Sequence, residues 1–240
     1  MRVGSADASP STFGFNVGTR CGDDPEAVAR NRASLRDALS LPSEPCWLLL
    51  VHGTAIARFP PCETRTAEGE AAQSLKEPEA DAAVTRTPGV VLAIQTADCL
   101  PVLFCADDGS EVAAAHAGWR GLSAGVLEST LAAMQASREN IIAWLGPAIA
   151  AQSYQVGDEV REAFLAHDPL AASAFTATRS EHWLCDLYAL ARQRLRADGV
   201  TRISGGGFDT FPDPCLHSYR RDGTNSGRMV SLVWLSAAGR

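Results

Sequence analysis

The chain has 240 residues, of which 46% are hydrophobic and 20% charged. That is an ordinary globular mix, which excludes collagen-like, coiled-coil and mostly disordered readings; at about 150 residues per domain the length allows one large domain or two small ones. The 21 basic and 28 acidic residues leave a net charge of −7, so no general attraction to DNA, RNA or an anionic membrane is expected, although a local basic patch can still grip one phosphate.

No run approaches the ~18 apolar residues of a membrane span. Residues 1–10 lack the apolar core of a signal peptide, so the chain reads as cytoplasmic, with no membrane partner. Its seven cysteines (Cys21, Cys46, Cys62, Cys99, Cys105, Cys185 and Cys215) are an odd number without an export signal, and reduced thiols are expected.

In chain order, residues 1–24 are rich in Gly, Ser and Asp and read as loop. Asp24-Pro25-Glu26 starts a helix, with a capping carboxylate and a first-turn proline, that runs to about Leu41. Cys46–Val51 is a short apolar strand that ends at His52-Gly53. Residues 62–83 are acidic, polar and aperiodic; the stretch from Cys62 to Asp81 is expected to be a mobile loop beside the pocket. Strands are predicted at Val90–Gln95, Val102–Cys105 and Glu111–Ala115. Gly118–Gly121 opens a single helix carrying Leu122, Val126, Leu127, Leu131 and Met134 at helical spacing. Ile141–Leu145 is a buried strand, Gly157–Ala166 and Asp186–Ala197 are helices, and Met229–Leu235 is a final strand. There is no regular βαβ alternation, so one α+β domain over residues 1–240 is favoured over a doubly wound sheet.

His52, Cys99 and His116 each sit at or just beyond the end of a predicted strand. Strand ends laid side by side can converge two imidazoles and a thiolate into a three-ligand zinc site with an open fourth position. The same residues also read as unrelated polar groups in turns, and Cys99 as a nucleophile with His116 as its base. Asp98 is either a proton carrier or a turn-former. Arg120, at a helix entrance, and Tyr219-Arg220-Arg221 are candidates for holding phosphate, against the alternative of exposed loops in which Asp222 pairs one arginine. Gly205-Gly206-Gly207 is no dinucleotide fingerprint, and no P-loop motif is present.

Gln95-Thr96-Ala97-Asp98-Cys99-Leu100-Pro101-Val102 followed by Ala115-His116-Ala117-Gly118-Trp119-Arg120-Gly121 resembles the bacterial laccase-domain family. Those proteins were first called multicopper polyphenol oxidases and are now mostly described as purine nucleoside phosphorylases with adenosine deaminase side activity. Cys21–Pro25, Val51-His52-Gly53, Ala80-Asp81-Ala82, Trp144–Pro147, Val156-Gly157, Asp186–Tyr188 and Ser218–Asp222 fall in the family's order, so the resemblance covers nearly the whole chain. It implies a four-layer αββα sandwich with mixed sheets, and zinc on His52, Cys99 and His116. This chain departs from the family at Leu50, at Phe208-Asp209-Thr210 and at Leu216-His217, and Arg2-Val3-Gly4 looks like the remnant of an N-terminal strand. The Leu50 and Asp209 changes bear on substrate polarity more than on metal binding.

Three activities from different classes are compatible with these residues. A zinc-dependent phosphorylase would take a purine nucleoside (adenosine, inosine or methylthioadenosine) and phosphate, with Arg120, Arg220, Arg221 and Tyr219 at the anion and Asp98, Cys99 and Arg120 catalytic. A true multicopper oxidase needs about ten histidines. This chain has five and no H-x-H pair, so only a single copper site in vitro is left to the oxidase reading. A cytoplasmic amidase that edits peptidoglycan precursors, a role linked to the family, would use the same metal and arginines.

Overall fold

The computed structural model describes residues 13–59 and 77–236. Helix α1 (Pro25–Ala38) begins where Asp24 accepts a hydrogen bond from the Glu26 N–H with proline at the first turn, the cap the sequence announces. A six-stranded sheet forms the centre. In spatial order it runs β1 (Ile56–Arg58), β2 (Ala82–Thr85), β5 (Val112–Ala117), β4 (Leu100–Ala106), β6 (Ile141–Leu145) and β10 (Arg202–Gly205). Its two edge pairs are parallel and its inner pairs antiparallel. β3 (Leu92–Thr96) pairs antiparallel with β11 (Met229–Val233), and β7 (Gln155–Gly157), β9 (His182–Cys185) and β8 (Phe175–Arg179) make a small third sheet.

Side chains alternate across the central sheet, as the pleat requires. Ala82, Val102, Phe104, Ala113, Ala115, Ile141 and Leu145 face one core. That core is filled by α2 (Trp119–Ala124), α3 (Val126–Ala133), α4 (Asp158–Leu165) and α5 (Leu187–Ala197). Ala83, Val112 and Ala114 face the other way, onto Leu92 and Ile94 of β3. The far face of the β3–β11 pair, with Ala93, Val230 and Leu232, receives Leu35 of α1 together with Trp47. The layers are therefore helix, sheet, sheet, helices, the αββα order expected. The short α6 (Tyr219–Asp222) lies outside them, beside the site.

Several elements differ from the sequence reading. The strand expected at Cys46–Val51 makes only single bridges, Cys46 to Leu92 and Leu49 to Glu79, because this segment crosses from one sheet to the other. The long helix after Gly118 is two helices. Gly125 has φ +99° and closes α2 in the left-handed conformation before α3 starts. Ala82 and Ala83, expected in the acidic loop, belong to β2. The rest of that loop, residues 62–76, and the presumed N-terminal remnant at residues 2–4 lie outside the described residues. Glu77–Asp81, its last part, is tied down: the Leu49 N–H donates to the Pro78 carbonyl at 2.9 Å, and Asp81 is fully buried.

Candidate metal centre and substrate cavity

The β4–β5 pairing sets Leu100 opposite Ala117, which brings Cys99, just before β4, beside His116 and Gly118 at the end of β5. His52 comes from the turn after the crossing segment and has φ +62°. One ligand atom from each of His52, Cys99 and His116 falls in a group whose members lie within 4.8 Å of one another. Cys99 Sγ is 3.9 Å from His52 Nε2, and the two imidazoles meet edge-on with centroids 4.8 Å apart.

Asp81 builds this arrangement. Its buried carboxylate accepts the backbone N–H groups of Val51 at 3.2 Å, His52 at 2.9 Å and Gly53 at 2.7 Å, and His116 Nδ1 at 2.9 Å. An ionised carboxylate only accepts, so His116 carries a proton on Nδ1 and turns Nε2 toward Cys99. The electrostatics agree. Burial pushes the Cys99 thiol up, but the two facing imidazoles outweigh it and hold the thiol below its ordinary value. Burial likewise pushes His116 down, and the Cys99 sulfur and Asp81 more than reverse it. Asp81 itself sits low despite burial, because His116 and the 52–53 amides favour its charge.

The residues fit a metal ion. Two imidazole nitrogens and a poised thiolate are a borderline-soft donor set suited to zinc, and one that a copper site also uses. The space beside them is kept clear by Gly118, where a Cβ would stand 2.8 Å from Cys99 Sγ and 3.1 Å from His52 Cδ2.

The three residues open into a cavity of about 420 Å³, also lined by Leu48–Leu50, Gln95, Thr96, Asp98, Tyr154, Tyr219, Arg220 and Arg228. Asp98, with φ +85°, accepts from the Thr210 hydroxyl at 2.6 Å and the Arg220 N–H at 2.7 Å, so it joins the Cys99 turn to α6. Arg220 stands at the wall. One terminal nitrogen donates to the Gln155 carbonyl at 2.9 Å, and the guanidinium carbon is 5.1 Å from the Tyr154 ring centroid. Burial first, then the nearby Cys185 and Cys99, raise the Tyr154 phenol well above its ordinary value.

The other arginines named from sequence lie elsewhere. Arg221 donates to the carbonyls of Thr210, Phe211, Asp213 and Leu216 and pairs with Asp222, clamping the 210–216 loop. It borders a separate cleft of about 650 Å³, larger than the first but without His52, Cys99 or His116. Arg120 stacks on Trp119 at 4.4 Å and is not among the residues lining the cavity. Leu50 does line it, whereas Asp209 is occupied with Ala150, Gln152, Ser153 and Phe211 away from it. Sequence reasoning missed Asp81, Tyr154 and Arg228 as site residues. Asp81 was visible as part of Ala80-Asp81-Ala82, but its four partners come from two other segments.

A family model for multi-copper polyphenol oxidoreductase laccase matches residues 2–236. The purine nucleoside phosphorylase YfiH of Escherichia coli (strain K12) is 48% identical over 235 residues, 98% of this chain and 91% of that protein. A purine nucleoside phosphorylase of Xylella fastidiosa (strain Temecula1) is 50% identical over 217 residues, 89% of this chain and 81% of its own. Among solved structures, a Neisseria meningitidis protein superposes with a TM-score of 0.84 at 45% identity, covering 93% of this chain and 87% of its own. YlmD of Geobacillus stearothermophilus gives 0.81 at 27% identity, with 98% and 89% covered. With a family model spanning nearly its full length and relatives this close, the chain belongs to the multi-copper polyphenol oxidoreductase laccase family.

Proposed function

We propose that this protein is a metal-dependent purine nucleoside phosphorylase. The observation that carries this reading is one cavity that joins the His52–Cys99–His116 cluster to an arginine-bearing wall. Relatives covering nearly the whole chain bear the name purine nucleoside phosphorylase, which supports the same assignment. In phosphorolysis a phosphate oxygen forms a bond to ribose C1′ while the glycosidic bond to the purine breaks. The leaving purine nitrogen takes up the proton that dihydrogen phosphate gives up, so inosine yields hypoxanthine and ribose 1-phosphate.

The residues divide this work. Arg220 has Nε and one terminal nitrogen beyond its bond to Gln155, and these hold phosphate in a bidentate manner. Tyr154 supports the guanidinium, and Tyr219 lines the cavity beside it. Asp98 holds the Arg220 backbone and retains lone pairs toward the cavity for the proton at the purine. Leu48 and Leu50 give the purine an apolar wall. His52, Cys99 and His116 hold zinc, with Asp81 fixing two of them; copper loaded in vitro would take the same donors. A metal bound there supplies Lewis acidity and water activation, the chemistry that a companion deamination at C6 of adenosine needs. A reducing cytoplasm keeps Cys99 available as a ligand, and among the described residues no helix is long and apolar enough to cross a membrane.

The test is hypoxanthine release from inosine by zinc-loaded protein, with and without phosphate. Release that requires phosphate, and that disappears together with bound zinc in Cys99→Ala, is the expected result. Equal cleavage without phosphate overturns the reading and points to a hydrolase, for which mis-charged muramyl precursors are the next substrates.

A further inference from the structure

We propose that Arg228 is a second anion-binding residue of the cavity, held in its working position by Asn16 and Gly18. Nothing in its local sequence marks it. The structure does so by three independent features.

The first is its state of pairing. Arg228 lines the cavity half-buried. One terminal nitrogen donates to the carbonyls of Ser226 at 2.7 Å and Gly227 at 2.9 Å, which fixes the plane of the guanidinium. Nε and the other terminal nitrogen have no hydrogen-bond partner among the described residues, and no described carboxylate makes an ion pair with it. Arg20, which lines the same cavity, differs: it pairs with Glu77 at 3.7 Å. A half-buried cation with unused donors, facing a cavity, is a receptor for an anion.

The second is the construction around its backbone. Asn16 is completely buried, and its side-chain oxygen accepts both the Arg228 N–H and the Gly18 N–H at 2.8 Å. Its amide nitrogen donates to the Gly18 carbonyl at 3.1 Å and to Asp23 at 2.9 Å. Helix α1 braces this node from behind, through Asn31 to the Asn16 carbonyl at 2.9 Å and Arg32 to the Val17 carbonyl at 2.9 Å. A buried amide with its hydrogen-bonding capacity used this fully fixes geometry more than it adds stability.

The third is steric. A Cβ at Gly18 would stand 2.6 Å from Arg228 Cγ and 3.0 Å from its Cβ. The 16–18 loop therefore lies directly against the arginine stem, while the guanidinium faces the Tyr219 ring at 5.9 Å. Tyr219 and Arg220 line the same cavity, so the unpaired donors of Arg220, beside Tyr154, and of Arg228, beside Tyr219, border one space. The ligand class is a tetrahedral oxyanion, the phosphate co-substrate. This inference rests on the phosphorylase reading for the identity of the anion as co-substrate and for its kinetic arm.

The experiment compares Arg228→Met, Arg228→Lys and Gly18→Ala with the zinc-loaded wild type, after thermal melting and metal analysis show each to be folded and loaded. Arg228→Met is expected to raise the apparent phosphate KM about ten- to hundredfold, the usual scale for a lost charged hydrogen bond. The nucleoside KM should stay near wild type. Arg228→Lys should fall between the two. Gly18→Ala keeps the charge but moves the stem, and it should raise the phosphate KM without lowering zinc content, which a purely structural role would not do. An unchanged phosphate KM in folded Arg228→Met or Arg228→Lys overturns the proposal. If wild-type cleavage proves independent of phosphate, the phosphorylase reading fails by itself, and calorimetric titration with inorganic phosphate decides on Arg228. Binding by wild type that Arg228→Met loses supports the anion site; equal binding, or none by wild type, refutes it.

Discussion

Asp81→Ala is expected to be among the most damaging single substitutions in this protein. It removes a buried carboxylate that satisfies the amides of Val51, His52 and Gly53 and the Nδ1 proton of His116. Breaking a buried charge pair while leaving its partners unsatisfied costs about 3–5 kcal/mol. The positive-φ turn at His52 would also lose the acceptor that holds it. The thermal midpoint should fall by many degrees. The shape-preserving Asp81→Asn should stay folded yet bind zinc about 10–100-fold more weakly, the usual scale for losing a partner of a metal-ligating histidine. Titration against a chelator of known affinity measures this. Wild-type zinc affinity in Asp81→Asn would show that the carboxylate does not orient the ligands.

Gly118→Ala should separate metal binding from folding. The backbone there has φ −64°, which alanine adopts without strain, and the position caps α2. Losing a glycine's freedom in the unfolded chain stabilises by about 0.4–1 kcal/mol where the native conformation suits alanine, which is offset because alanine is a poorer N-cap than glycine. The new Cβ, however, would lie 2.8 Å from Cys99 Sγ and 3.1 Å from His52 Cδ2. Cys99 Sγ must shift to admit it, and the His52 ring must give by a few tenths of an ångström. We therefore expect a melting curve near that of metal-free wild type, with zinc affinity reduced by about tenfold or more. A loaded site of wild-type affinity in Gly118→Ala would argue that the metal is not held between Cys99 and His52.

The legible parts of this fold are those whose signal is local. Asp24 before Pro25 and Asp186 before Leu187 mark helix starts because the cap is made within one turn. β4 and β6 stand out as apolar runs bounded by turns, and His52, Cys99 and His116 stand out as candidate ligands because each lies at or just beyond the end of an apolar run. β1 was missed because three residues carry no periodicity, and β2 because Ala82–Thr85 is buried on both faces and shows no alternation. The break at Gly125 was hidden because α2 and α3 keep the same apolar spacing on either side of it. Asp81 and Arg228 act through partners tens to hundreds of residues distant, which only the docked layers bring together. Arg221 was named for the anion because two adjacent arginines look alike in sequence. Their different partners, Gln155 for Arg220 at the cavity wall and the 210–216 carbonyls for Arg221, give one a cavity and the other a loop to clamp.

The crossing segment at Cys46–Leu49 has a kinetic meaning. It makes one bridge to β3 in the first sheet and one to Glu79 at the entrance to β2 in the second. The His52 turn follows directly and is held by Asp81 beside β2, so its native geometry depends on contacts to both sheets. We therefore expect closure of the cluster to be a late event, on the native side of the folding barrier. Zinc should then slow unfolding while leaving the refolding rate nearly unchanged, because it stabilises contacts absent from the transition state. Stopped-flow unfolding and refolding with and without zinc would show this as a shift of one limb alone. Equal effects on both limbs would place the ligand cluster in the nucleus instead. A metal ion bound there would then act as a lock on an already assembled protein, one that sets its lifetime more than its ability to fold.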